Sequence, residues 1–255
     1  MRHSVRMLEQ LQRPPPPALA DDDALFLDVD GTLVAFADHP DKVVPADDLP
    51  HLLQQAAQRL GGALALVSGR PVAQLDRLTH PLRLPAAGLH GAQLRPVADH
   101  QDIPAADTAE WLHGLHQRAE KLAHQHPGVF VEHKGSALAL HWRLAPQAAD
   151  AVQAFAREQL AQLPGMRLQP GNNVIEFVTA LHDKGSAVRT LMQKPPFLGR
   201  RPIFVGDDLT DEAGFAAAAQ LGGHGVLVGS RAGSNARHAL ADINAVHRWL
   251  RGTPP

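Results

Sequence analysis

The chain of 255 residues contains no cysteine, which excludes disulfides, thiolate metal sites and a cysteine nucleophile together. No apolar run approaches the roughly 20 residues needed to cross a bilayer. The opening stretch MRHSVRMLEQLQRPPPPALA carries positive charge but lacks the apolar segment of a secretory signal. The cytoplasm is therefore the expected location, with no membrane partner. An excess of one charge sign is also missing: 24 Lys and Arg face 26 Asp and Glu, and like charges never run to five. Neither a basic field nor an aromatic platform is available for nucleic acid. A monomer is expected.

What is present suits a globular protein. The hydrophobic fraction is 44% and the charged fraction 20%, enough to bury a core, and the length fits one large domain or a core with a smaller inserted one. Sixteen histidines are many. The close pairs His113/His116 and His124/His126 lie in a polar, helix-like stretch and read as solvated surface groups, because a metal site also needs fixed geometry and supporting partners.

Pro14–Pro17 mark residues 1–20 as a flexible, proline-rich tail. The apolar run from Ala24 to Asp30 reads as a strand buried on both faces. Leu49, Leu52, Leu53, Ala56, Ala57 and Leu60 have helical spacing that Gly61-Gly62 ends. Ala63–Val67 is a second buried strand, and Pro71 is placed to open the next helix. Strands and helices alternate again after residue 184, with strands at 202–206 and 225–229, a helix at 211–219 and a last helix at 235–250. Such alternation predicts an α/β fold with a parallel sheet and crossover helices. The middle differs. Asp107–Glu110 has capping-box spacing ahead of a helix, residues 129–142 alternate as a hairpin around Lys134-Gly-Ser136, and a helix at 147–162 precedes a strand pair at 167–178. This predicts an inserted α+β module at 97–179 within a core formed by 21–96 and 180–255.

Four clusters carry chemistry. Asp28-Val-Asp30-Gly-Thr32 closes the first strand. Alternate strand residues point the same way, so Asp28 and Asp30 share a direction at the strand end, where crevices in parallel sheets open. Asp28 can attack phosphorus while Asp30 protonates the leaving oxygen and then activates water. Asp-x-Asp alone often merely ends a strand; followed by Gly-Thr after an apolar strand it is much sharper. Ser68-Gly69-Arg70 ends the second strand and suits a phosphoryl oxygen. Lys184 in Asp183-Lys-Gly-Ser186 stands at a predicted helix start, where an ammonium can neutralise phosphate. Gly206-Asp-Asp-Leu-Thr-Asp-Glu212 follows another strand and places Asp207 and Asp208 at its end, with Asp211 or Glu212 expected to cap the next helix. Several carboxylates beside a phosphate dianion repel, and a hard cation on oxygen ligands relieves this. Mg²⁺ is the expected cofactor, held by Asp28, the main-chain carbonyl of Asp30, Asp207 and water.

In this order, DVDGT, SGR, DKG and GDDLTDE resemble the four motifs of the haloacid dehalogenase (HAD) phosphatase superfamily. The resemblance implies a Rossmann-like core, Asp28 as nucleophile, Asp30 as general acid/base, Thr32, Ser68 and Lys184 as phosphate-binding residues, Asp28, Asp30 and Asp207 as metal ligands, and Asp208 in support beside Lys184 or the ion. The long gap between Ser68 and Lys184 places the cap there. Gly88-Leu-His-Gly-Ala92, Val131-Glu-His-Lys-Gly135, Ala139-Leu-His-Trp-Arg143 and Asn173-Val-Ile-Glu-Phe177 are similar to stretches of the bacterial trehalose-6-phosphate phosphatase family. That resemblance implies a sugar-binding set in the cap, Glu132, Lys134 and Glu176. Glu132 and Lys134 share a strand face, and Glu176 is an acid among apolar strand residues; without the resemblance Glu132 and Lys134 would read as a surface ion pair. Rival readings are a phosphatase for sucrose 6-phosphate or mannosyl-3-phosphoglycerate, which would share the core, and a catalytically silent sugar-phosphate sensor. A sensor would be expected to have lost Asp28, Asp30, Lys184 or Asp207, and all four are present.

Overall fold

A computed structural model describes residues 13–37, 42–97, 109–135 and 137–253. The capping box expected at 107–110 and Ser136 of the hairpin loop lie outside the described side chains, as do residues 1–12 of the expected tail. Five parallel strands carry the core: β1 (Asp23–Leu27), β2 (Leu64–Val67), β3 (Ala86–Gly88), β9 (Arg201–Gly206) and β10 (His224–Val228). Their sequences are nearly continuous apolar runs, and β1 and β2 are buried along their whole length, as strands covered on both faces by helices must be. Two short edge strands, β4 (Gln93–Arg95), antiparallel to β3, and β11 (His238–Leu240), parallel to β10, complete the order β11-β10-β9-β1-β2-β3-β4.

The helices α1 (Leu49–Arg59), α2 (Val72–Thr79), α5 (Lys184–Leu191), α6 (Glu212–Gln220) and α7 (Ile243–Leu250) belong to the same layered core. In α1 the spacing of Leu49, Leu52, Leu53 and Ala56 buries one stripe. Each such leucine contributes about 1.5–3 kcal/mol when removed from water. Strand β1 pairs with β2 on one side and β9 on the other, Leu25 facing both Leu64 and Ile203. Chain order therefore reverses at β1, and a crevice opens beyond its C-terminal end.

The inserted segment folds on its own antiparallel sheet, β5 (Phe130–His133), β6 (Leu138–His141), β8 (Val174–Thr179) and β7 (Met166–Gly171), with α3 (Ala109–Gln125) and α4 (Ala149–Leu160) on one face. Leu115, Val152, Leu138, Leu140, Ile175 and Phe177 form its separate core. Pairing sets Glu132 opposite Ala139, Ala139 opposite Glu176, and Glu176 opposite Gln169. With the helix face occupied by Leu138, Leu140, Ile175 and Phe177, the period of two turns this polar row away from the helices. Ala139 between the two glutamates leaves them room to converge.

Two expectations change. The helix expected at 235–250 is β11 followed by the shorter α7. The spacing of Ala239, Leu240 and Ile243 satisfies both patterns, but Ala239 and Leu240 pair with Leu227 and Val228, and the Asp242 carboxylate accepts from the Ala245 N–H at 2.8 Å, fixing the helix start. The proline-rich stretch, from residue 13 onward, is pinned rather than flexible. Pro14 O accepts from Ala239 N, Pro17 O accepts from the Trp249 indole, and Arg13 donates to carbonyls of Ser234 and Ala236. Among the described residues no helix is long and apolar enough to cross a membrane.

Candidate functional site

Asp28 is the first residue past β1, and its N–H still donates to Val205 O of β9, so strand geometry carries through to the carboxylate. The chain then turns back on itself, with Thr32, Leu33 and Val34 N–H groups all converging on Val29 O. Gly31 makes this possible. Its φ is +81°, and a Cβ there would lie 2.3 Å from Asp207 Oδ2, so the turn can press against the Asp207 loop only without a side chain. The Thr32 hydroxyl donates to Asp207 Oδ1 at 3.4 Å, steering that carboxylate.

Lys184 opens α5, whose N-cap Asp183 accepts from Ser186 N at 2.6 Å while Ser186 Oγ accepts from Asp183 N at 3.0 Å. This reciprocal box fixes where Lys184 points. Its ammonium donates to Asp28 Oδ1 at 2.8 Å and Asp211 Oδ1 at 2.6 Å. The three groups are 3%, 4% and 0% exposed for Lys184, Asp28 and Asp211. Burial works against the Lys184 charge, yet Asp211 and Asp28 override it and hold the ammonium protonated well above its usual range. Burial, and then Asp211, push Asp28 up despite Lys184; one ammonium does not neutralise the surrounding acids. Asp207 is pushed up to about 7, by burial first and Asp211 next.

Acceptor atoms of Asp28, Asp207 and Asp211 lie within 4.8 Å of one another. Two crowded acids driven toward their neutral forms, all with oxygen donors, fit a hard divalent cation. Asp28 and Asp207 would hold it. Both Asp211 oxygens already accept, from Lys184 and from Asp208 N, so Asp211 positions those groups. This exchanges two expected roles. Asp208, expected beside Lys184 or the ion, instead caps the turn at 209–211, accepting from Leu209 N at 2.7 Å. Asp211, expected only as a helix cap, stands beside Lys184. A carboxylate three residues further along reaches back across one helical turn, which a strand-end reading does not foresee.

Ser68 is buried past β2, its Oγ accepting from Arg70 N at 3.2 Å. Arg70 grips Asp30 with two parallel bonds, Nε to Oδ2 at 2.6 Å and Nη2 to Oδ1 at 2.7 Å. Both Asp30 oxygens therefore accept, and the residue expected as proton donor is held by its arginine in this state. The motif SGR contained this residue, but nothing in its spacing showed that the guanidinium would cross to Asp30.

Opposite the crevice stands the polar row of the cap. Lys134 donates to Glu176 Oε1 at 2.6 Å and lies 3.6 Å from Glu132 Oε2. His141 Nε2 meets the same Glu132 oxygen at 2.9 Å, and His90 Nε2 meets Glu176 Oε2 at 3.0 Å. Burial favours neutral forms here, but Lys134 and His90 outweigh it and hold Glu176 ionised, far below the usual range. For Glu132 the His141 bond and Lys134 do the same, and both glutamates keep Lys134 charged against burial. The result is a pair of ionised carboxylates around one ammonium, with lone pairs left for hydroxyl donors. One pocket is lined by Asp28, Ser68, Lys184, Glu132, Lys134 and Glu176 together. Arg70, His90 and His141 were not singled out in the sequence, and Asp211 was expected only as a cap; His90 and His141 sat inside stretches recognised only by resemblance. The pairs His113/His116 and His124/His126 do not line this pocket.

Comparison with known proteins identifies the family. The family model described as trehalose-phosphatase matches residues 26–244. Trehalose-6-phosphate phosphatase of Escherichia coli K12 is 42% identical over 240 residues, covering 92% of this chain and 87% of that protein. The C-terminal domain of the Candida albicans trehalose-6-phosphate phosphatase superposes with a TM-score of 0.82 at 20% identity, covering 94% of this chain and 97% of that one. A HAD-superfamily phosphatase of Bacteroides thetaiotaomicron superposes at 0.62 with 15% identity, over 92% and 96% of the chains, a likeness of fold. With its motifs placed around one crevice and its sequence matched over nearly the whole length, the chain belongs to the trehalose-phosphatase family.

Proposed function

We propose that this protein hydrolyses trehalose 6-phosphate to trehalose and inorganic phosphate through a phosphoaspartate on Asp28, with Mg²⁺ as cofactor. The observation that carries the reading is one pocket with two chemically distinct ends: Asp28 and Lys184 at one, and Glu132, Lys134 and Glu176 at the other. The first suits a phosphoryl group and the second a ring of hydroxyls. An Asp28 oxygen attacks phosphorus, the bond from phosphorus to the sugar oxygen breaks, and Asp30 gives that oxygen its proton. Asp30 then takes a proton from water, whose oxygen attacks phosphorus and restores Asp28. This use of Asp30 requires that it first leave Arg70 and take up a proton from solvent, which the second step then returns to it. Ser68 and Lys184 hold the phosphoryl oxygens. Asp28, Asp207 and the Asp30 carbonyl would hold Mg²⁺, which would supply the positive charge that lets acids and phosphate share the crevice.

A panel of phosphate esters with and without Mg²⁺ tests the reading. Trehalose 6-phosphate should be preferred over sucrose 6-phosphate and mannosyl-3-phosphoglycerate; preference for either of these would replace the assignment. Glu176→Ala and Glu132→Ala should each lower kcat/KM for trehalose 6-phosphate by roughly 10- to 150-fold, the effect of one hydrogen bond to a charged group. The loss on a small generic ester should be much smaller. Equal losses on both substrates would make these residues structural.

The raised Asp207 has a consequence for stability. An acid whose folded pKa exceeds its unfolded value stabilises the fold fully below the unfolded value and loses that contribution as pH rises through the folded one. With a chelator present, the unfolding temperature is expected to fall between pH 3.8 and about 7 on this account and then level off. Saturating Mg²⁺, which favours the ionised form, should flatten the fall. Superimposable curves with and without Mg²⁺ would contradict the cation site.

A further inference from the structure

The segment Leu89-His90 follows β3 in the core and lies beside the cap, and beyond the His90 ring's bond to Glu176 the chemistry above gives it no role. Its backbone is unusual: Leu89 and His90 have φ of 50° and 55°, two consecutive left-handed residues, neither of them glycine. Such a conformation persists only where surroundings over-determine it, and it clusters at functional sites. Three sets of contacts hold it. Toward the phosphate-binding loop, His90 N donates to Ser68 O at 3.0 Å and Leu89 N donates to Arg70 O at 3.1 Å. Toward the cap, Leu89 packs in an apolar cluster with Ala137 and Val178. The third is the buried bond from the His90 ring to Glu176 Oε2. Since Glu176 is ionised and accepts only, Nε2 carries the proton.

The ring has a place made for it. A Cβ at Gly69 would lie 2.7 Å from His90 Nε2, so the loop that carries Ser68 is bare at the point where the imidazole passes over it. One residue thus touches the phosphate-binding loop through its main chain and the sugar-facing carboxylate through its side chain. Glu176 is held from both sides, Oε1 by Lys134 of the cap and Oε2 by His90 of the core. Without His90, the carboxylate keeps its cap partner but loses its reference to the core.

We infer that His90 is a positioning residue for substrate specificity, fixing the cap's sugar-binding carboxylate Glu176 at a set distance from the phosphate-binding loop. The inference rests on the proposed sugar-phosphate hydrolysis. It acts on molecules that carry both a phosphate and a distant ring of hydroxyls, which must span that distance, and bears little on small esters that fill only the core end.

A double-mutant cycle between His90 and Glu176, read as kcat/KM on trehalose 6-phosphate and on p-nitrophenyl phosphate, tests it. His90→Leu is expected to lower the value for the sugar phosphate by about tenfold or more, mainly through KM, with a much smaller change on the aryl ester. In the Glu176→Ala background His90→Leu should add less than about threefold, because the partner it positions is gone. His90→Gln, which keeps an N–H within reach of Glu176, should recover most of the loss. Multiplying effects in the double variant, or equal losses on both substrates, would overturn the inference, as would a glutamine variant no better than leucine. Should the leucine variant fail to fold, His90→Asn, too short to reach Glu176, replaces it in the cycle. If the wild-type protein rejects trehalose 6-phosphate, the functional reading fails separately, and the cycle run on the sugar phosphate it prefers still decides the role of His90.

Discussion

Asp28→Asn is expected to lower kcat by at least ~10⁴-fold on every phosphate ester, the scale seen when a covalent nucleophile is removed, while leaving the fold intact. The amide cannot attack phosphorus, and no neighbour stands in for it: Asp207 is steered by Thr32, and Asp211 has both oxygens engaged. Stability should not suffer. Burial and Asp211 raise the Asp28 carboxyl, so its ionised form is a cost in the metal-free protein, and the neutral amide can still accept from Lys184. The unfolding temperature of the variant in chelator at pH 8 should equal or exceed that of the wild type. Turnover within tenfold of the wild type would remove Asp28 as nucleophile; a cooperative unfolding transition lost altogether would show it to be a folding residue instead.

Lys184→Met should be the more damaging change overall. It abolishes turnover and also leaves Asp28 and Asp211 buried without their shared cation. Removing one partner of a buried pair costs about 3–5 kcal/mol. The sign is clear from the lysine. Its folded pKa lies above the unfolded one, so its contribution is complete at every pH below about 10 and is lost only as pH rises through the raised folded value. The variant should therefore unfold at lower denaturant concentration than the wild type at pH 7. A midpoint unchanged at pH 7 would mean the two carboxylates find other partners. Chemical denaturation followed by circular dichroism separates this from the loss of activity.

Much of this site was legible because strand ends in a parallel sheet are local events. Asp28, Ser68 and Asp207 each follow an apolar run, and alternation fixes where such a residue stands. The inserted sheet was legible for the same reason, its alternating hairpin at 129–142 corresponding to β5 and β6. What escaped is long-range. Arg70 on Asp30 and His90 on Glu176 join segments far apart in sequence, and no periodicity encodes a side chain reaching across a crevice. The exchange between Asp208 and Asp211 is smaller but of the same kind: the strand end favours Asp208 on paper, until the turn at 209–211 aims Asp211 at Lys184. At β11, a strand of three residues paired at a sheet edge was hidden in spacing that also suits a helix.

The proline run has a meaning beyond its contacts. Pro14, Pro15 and Pro17 hold the core through main-chain carbonyls, accepting from Ala239 N, the His238 ring and the Trp249 indole. Any residue offers such a carbonyl. What proline adds is that the strap is already extended before it docks, because its φ is fixed and polyproline geometry persists in the unfolded chain. Fastening it to the last strand and helix thus sacrifices little chain freedom. A glycine-rich replacement could make the same bonds, yet it would hold the carboxyl-terminal helix less firmly.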